Sequence, residues 1–199
     1  MRRPQPAEIA GLPRVNCKIC NEGLFCLTKV HVAKHDLTQR EYCLIWPENA
    51  NYSDWGTLRW PVGEKTFKNL RREAKQFDCI IKQLKEAEEM EFKNPYWEEK
   101  TKIELLQKWI IIHSIIYYQL DEMVAPDWLF DENCKQLTKF IIAHPEAFIS
   151  SKYYKYFKNW NGSTGFDLFS KLEPDHQSDF KILAMRMVHE FKTKLEENS

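Results

Sequence analysis

The run Trp109-Ile110-Ile111-Ile112-His113-Ser114-Ile115-Ile116-Tyr117-Tyr118 decides the fold class. It is almost continuously apolar, which predicts a helix buried on most of its sides. It is about half as long as the ~20 residues a membrane helix needs, so it predicts a core and not a span. Upstream, Asn94-Pro95 offers an N-cap and a proline for the first helical position, which predicts a helix from there to about Leu120. Downstream, Asp121–Pro126 reads as a break, followed by a helix over about Asp127 to Ala143 with Asp127 as its cap. His144-Pro145 ends that helix and opens another, which carries Tyr153, Tyr154, Tyr156, Phe157 and Trp160 and stops at Asn161-Gly162. Two more helices fit Phe166–Leu172 and Pro174–Glu197, the last with Phe180, Leu183, Met187, Phe191 and Leu195 at helical spacing. Towards the N-terminus, Phe67, Leu70, Ala74, Phe77, Ile81 and Leu84 are spaced 3-4-3-4-3, the buried seam of a helix that begins at Glu64. No strand signal follows residue 60, so a mainly α fold is expected.

Composition bounds the rest. The chain has 199 residues, 43% hydrophobic and 14% aromatic, which excludes a wholly disordered chain. Lys+Arg and Asp+Glu are 29 each, which excludes a uniformly basic coat. The balance hides an asymmetry. Residues 1–75 hold 13 basic and 8 acidic side chains, and the remaining 124 hold 16 and 21. An anion-binding front on a more acidic helical body is one reading, and chance is the other. Met1-Arg2-Arg3-Pro4-Gln5-Pro6 has no apolar segment of the signal-peptide kind, so six cysteines are expected reduced, in the cytoplasm of a bacterial host cell. The sequons at Asn51 and Asn161 then carry no weight. Residues 1–14 read as a flexible basic arm, 15–47 as a small Cys- and His-rich module, 48–63 as a connector rich in Trp, and 64–199 as a helical domain.

Within the module, Cys17-Lys18-Ile19-Cys20 is followed by His31-Val32-Ala33-Lys34-His35, a C-x2-C-x10-H-x3-H spacing. Two thiolates on a tight turn can share a tetrahedral ion with two imidazoles one helical turn apart. Zn2+ is the expected ion, with Cys17, Cys20, His31 and His35 as ligands and Phe25, Leu27 and Val30 as a minimal core. Cys26 is a spare thiol able to replace a ligand. The alternative is a reduced Cys pair beside two surface histidines. The spacing predicts a small ββα-like zinc finger ahead of the helical domain.

The run His35-Asp36-Leu37-Thr38-Gln39-Arg40-Glu41-Tyr42 resembles the zinc-finger module of Ros/MucR-type bacterial DNA-binding proteins, and similar modules are scattered through phage proteins. Thr38 and Glu41 are spaced for a capping box. The resemblance implies DNA contact through Lys18, Lys29, Lys34 and Arg40. On the next helix Lys65, Lys68, Arg71, Arg72 and Lys75 form a basic face, read either as phosphate-facing or as simply solvated. A single finger binds weakly, so flanking basic contacts or dimerisation would be needed.

A second resemblance covers residues 105–150. Tyr117-Tyr118 … Asp121 … Pro126-Asp127 … Phe130-Asp131, then Leu137 and His144-Pro145-Glu146, is similar to domain Ia of bacterial NAD-dependent DNA ligases. That resemblance implies that Tyr117 and Tyr118 flank a nicotinamide ring, that Asp127 and Asp131 accept hydrogen bonds, and that Phe130 stands where the family has Tyr. NAD or nicotinamide mononucleotide is the implied ligand. The chain has no Lys-x-Asp-Gly adenylation motif, so it is no ligase by itself. A hairpin of this kind followed by Gly162-Ser163-Thr164-Gly165-Phe166-Asp167 resembles small ligase-related phage proteins. The glycine-flanked loop reads as able to present backbone N–H groups to a phosphate.

No nucleophile–base pair stands out among the six histidines. The expected function is a non-enzymatic, phage-type accessory protein, touching DNA through the finger and the basic helix and a partner protein through the helical body. Two other functions stay open: an inhibitor of a host or defence enzyme, and a nucleotide-binding protein.

Overall fold

The computed structural model describes residues 15–24, 27–47 and 64–198, of 64–67 the backbone alone. The expected arm (1–14), the Trp-rich connector (48–63), Phe25 and Cys26 lie outside the described residues. The chain divides into two compact units, Met1–Phe77 and Asp78–Ser199.

In the first unit, β1 (Val15–Asn16) and β2 (Gly23–Leu24) pair antiparallel, with Val15 opposite Leu24. α1 (Lys29–Ala33) follows, then α2 (Gln39–Ile45). Thr28 caps α1, its hydroxyl accepting from the His31 amide at 3.1 Å. The expected capping box opens α2: the Glu41 amide donates to Thr38 Oγ1 at 3.2 Å and the Thr38 amide to Glu41 Oε2 at 2.8 Å. Leu27, Val32, Leu37, Tyr42, Leu44 and Ile45 are buried and form the small core. Val30 is not part of it. At 76% exposed it faces out, because a helix that starts at Lys29 turns Val32 inward instead.

α3 (Glu64–Glu89) carries the seam, and Leu70, Ala74, Phe77, Ile81 and Leu84 are all buried. The division between the units falls inside this helix, after Phe77.

The second unit is built round α4 (Glu99–Leu120), on which α5 (Asp127–Ala143), α6 (Pro145–Ile149), α8 (Leu168–Lys171) and α9 (Pro174–Glu197) pack. Every residue from Trp109 to Ile116 is buried. Each such Ile contributes on the order of 2–3 kcal/mol by leaving water. Arg186 of α9 is buried and ion-paired to Asp78, and Lys85 is paired to Glu190.

Several expected boundaries shift, each for a local reason. α4 starts at Glu99 and not at Asn94-Pro95, because Glu91 and Phe92 take positive φ and Asn94 Oδ1 accepts from the Tyr96 amide at 2.9 Å, closing a turn. Asp127 does not cap α5. Pro126 holds that position and Asp127 is the first helical residue, where its charge suits the helix N-terminus. The long helix expected after His144 is two short ones, α6 and α7 (Tyr154–Phe157). Ser150 and Ser151 donate back to the Ala147 and Phe148 carbonyls, and the Lys152 amide donates to Glu104 at 2.9 Å, so the ladder is interrupted there. The helix expected over Phe166–Leu172 shrinks to one turn. α9 agrees with expectation, but Phe191 and Leu195 at its end are exposed. Tyr153, Tyr156 and Phe157 are buried, so the aromatic stripe is core. Among the described residues β1 and β2 are the only strands, and no helix is long and apolar enough to cross a membrane.

Candidate functional site

The β1–β2 hairpin turns through Cys17–Glu22. The Cys17 amide donates to the Glu22 carbonyl at 3.0 Å and the Asn21 amide to the Cys17 carbonyl at 2.9 Å, with Asn21 at φ 56°. This brings both sulfurs to one side. α1 carries His31, and the turn after it carries His35. The ligand atoms of Cys17, Cys20, His31 and His35 lie within 4.8 Å of one another. Cys17 Sγ is 3.5 Å from His35 Nε2 and Cys20 Sγ is 3.6 Å from His31 Nε2. Zinc–sulfur bonds of ~2.3 Å and zinc–nitrogen bonds of ~2.05 Å at the tetrahedral angle give an S···N edge of about 3.6 Å. The four side chains therefore fit a metal ion at their centre. Among the described residues no other such cluster occurs.

Two residues outside the spacing motif support these ligands. Glu22 Oε2 lies 3.5 Å from His31 Nδ1, which leaves Nε2 for the metal. Tyr42, fully buried, accepts from the Lys18 amide at 2.8 Å and directs its hydroxyl to Cys17 Sγ at 3.9 Å. Burial opposes ionisation of Cys17, but hydrogen bonds from the Cys20 and Ile19 backbone, Cys20 and Tyr42 outweigh it and hold the thiol below its ordinary range. Spacing alone did not single out Glu22, since only the hairpin register brings it beside His31.

Lys18, Lys29, Lys34 and Arg40 are all exposed. Arg40 Nε is 3.2 Å from Glu73. Lys68, Arg71, Arg72 and Lys75 are exposed at i, i+3, i+4 and i+7 on α3, one face of a helix. The side chain of Lys65 lies outside the described residues. Only Lys29 and Val30 precede His31 on α1. The stretch of helix that reads bases in longer zinc fingers is therefore absent here.

In the second unit, Tyr117, Tyr118, Asp127, Phe130 and Asp131 line one cavity of about 300 Å3. Tyr117 and Tyr118 are exposed, at 51% and 39%, and meet edge to face with centroids 4.9 Å apart. α4 ends beside them in Asp121, whose φ of 52° reverses the chain towards α5. Gly165 presses on α4: a Cβ there would lie 1.6 Å from Ser114 Oγ. That close approach lets Tyr118 Oη reach Thr164 Oγ1 at 3.2 Å and stack edge-on against Phe166. The lining holds the carboxylates of Glu122, Asp127 and Asp131 and no Lys or Arg. His113 also lines it. Its Nε2 is buried without a partner, its ring stacks on Trp109 at 3.8 Å, and burial lowers its pKa to about 3, so the imidazole is neutral. Neither the spacing nor the resemblance pointed to His113.

At the glycine-flanked loop, two backbone donors are already taken. The Ser163 amide donates to Asn161 Oδ1 at 3.1 Å and the Phe166 amide to Thr164 Oγ1 at 3.2 Å, so the loop's own side chains take these donors.

No protein-family model, no curated protein and no solved structure matches the chain.

Proposed function

We propose that this chain is a non-enzymatic, DNA-associated accessory protein whose finger is stapled by Zn2+ and sets lysines against the phosphate backbone. The observation that carries the reading is the convergence of Cys17, Cys20, His31 and His35 at the edge lengths of a tetrahedral site. Two thiolates and two imidazoles form a donor set with no open position, the chemistry of structural zinc. Bound zinc would supply folding energy to a hairpin with two-residue strands and a five-residue helix. Lys18, Lys29 and Lys34 are exposed and lie within two residues of a ligand in sequence, with Arg40 held by Glu73. With so short a helix, the reading is phosphate contact rather than base readout.

Anisotropy of a labelled DNA duplex with zinc-loaded protein tests this. Three to four phosphate contacts give a log–log salt slope of about −3, so affinity should fall by about 60-fold between 50 and 200 mM salt. The Cys17→Ser/Cys20→Ser variant should not bind. Equal binding by that variant, or salt-independent binding, would reject the DNA reading.

The cavity beside Tyr117 supports a second reading, nicotinamide mononucleotide or NAD binding. Its aromatic faces and the carboxylates of Asp127 and Asp131 suit a flat cation, while Glu122 is paired with Lys192. Ligand at about 100 times its Kd should stabilise the helical unit by about 2.7 kcal/mol in a thermal shift, an effect Asp131→Ala should abolish. No shift at millimolar mononucleotide would remove this reading.

A further inference from the structure

α5 has a second face that neither reading uses. Beside it lies a groove of about 670 Å3, bounded on the other side by the end of α3 and the residues that follow it, Glu88 to Lys93. It extends along α5 from Trp128 to His144, which at ~1.5 Å per residue is about 24 Å, the length of a helix of about 16 residues. Trp128 and Phe140 supply apolar surface, and Trp128 is 68% exposed. Ile142, on roughly the same side of α5 as Trp128, is 75% exposed. The exposed indole of Trp128 and the ring of Phe140 are the apolar surface that the groove offers.

The groove's polar groups say what it would contact. Lys93 is paired with Glu91, and Lys139 with Glu132 at 4.0 Å, and Glu88 is half-buried beside Trp109, which leaves the exposed carboxyl of Glu89 in excess. The indole of Trp128 is the best aromatic face for a cation. Asn133 is 4% exposed and lines the groove, and its Nδ2 is buried with no partner, so a donor is left waiting for an acceptor oxygen. An occupant must therefore bring apolar side chains, positive charge and a carbonyl or hydroxyl acceptor.

We propose that this groove docks a basic amphipathic helix of a partner protein. Its anchor sits on Trp128 and Phe140, a Lys or Arg side chain meets Glu89, and an oxygen accepts from Asn133. This is helix-in-groove recognition, and it depends on neither the DNA nor the nucleotide reading.

The test is selection from a displayed random library of peptides of about 16 residues on the full-length chain, followed by anisotropy of the labelled winners. The expected winners carry net positive charge with apolar residues at helical spacing. Trp128→Ala should weaken them at least about tenfold, and Glu89→Lys should weaken them and flatten their salt dependence. Both positions are exposed, so unchanged circular-dichroism melting will show that the variants fold, and DNA binding should be unchanged. Failure to enrich any peptide, acidic or neutral winners, or equal binding by Trp128→Ala would overturn the proposal. So would self-association of the chain that Trp128→Ala abolishes, since the groove would then belong to a second copy.

Discussion

Stripping zinc from the loaded chain should unfold the finger and leave the helical unit standing. Zinc in such sites is worth about 10–16 kcal/mol, more than any other single interaction in a chain of this size. Little else holds the finger's ends together: β1 and β2 are two residues each, and α1 has five. Hairpins and helices that short do not persist alone. Native mass spectrometry should find one zinc per chain, lost in Cys17→Ser/Cys20→Ser. Amide resonances of Val15–Asn16, Gly23–Leu24 and Lys29–Ala33 should collapse on chelation while those of α4 and α9 persist. Glu22→Gln should fold but bind zinc about 10–100-fold more weakly, because its carboxylate orients His31. Dispersed finger resonances in metal-free protein would sink the claim.

The helical unit should lose stability steeply in mild acid through His113. Burial lowers its pKa from 6.5 to about 3 in the folded chain. Below pH 6.5 the unfolded chain takes up a proton that the folded chain refuses, so stability is complete above that pH and falls towards pH 3. The slope is about 1.4 kcal/mol per pH unit, so about 2 kcal/mol is gone by pH 5. Denaturant melts between pH 7.5 and 5 check this against His113→Phe, which keeps an aromatic ring on Trp109 without a titrating group. Glu88 has the opposite sign, since burial raises its carboxyl, and it is common to both proteins. Identical pH slopes for the two proteins would refute the assignment.

Much of this was legible in residue order, because the interactions are local or periodic. The capping box at Thr38 and Glu41 spans three residues and forms as its spacing predicts. The α3 seam is buried along its described length, and the apolar run of α4 lies at the centre of its unit. The metal ligands are paired within the sequence, so their convergence needs only one hairpin and one helical turn.

What failed was decided by competition that sequence order does not reveal. Asn94-Pro95 reads as a helix start, but the reversal at Glu91 and Phe92 makes it a turn. The helix expected after Pro145 breaks where Glu104, 48 residues away, takes the Lys152 amide.

By itself, then, the sequence determined the α-rich class, the Cys2His2 cluster, the burial of the α3 seam and of α4 and the inward face of α9 as far as Met187, because these follow from period and local spacing. Tertiary structure alone decided that Glu22 supports His31, that Tyr117 and Tyr118 face a cavity and not the core, and that His113 and Asn133 are buried with unmet polar atoms. Those outcomes depend on which helices cross and where the chain reverses, and the burial of a polar atom is a property of its neighbours, not of its own residue type.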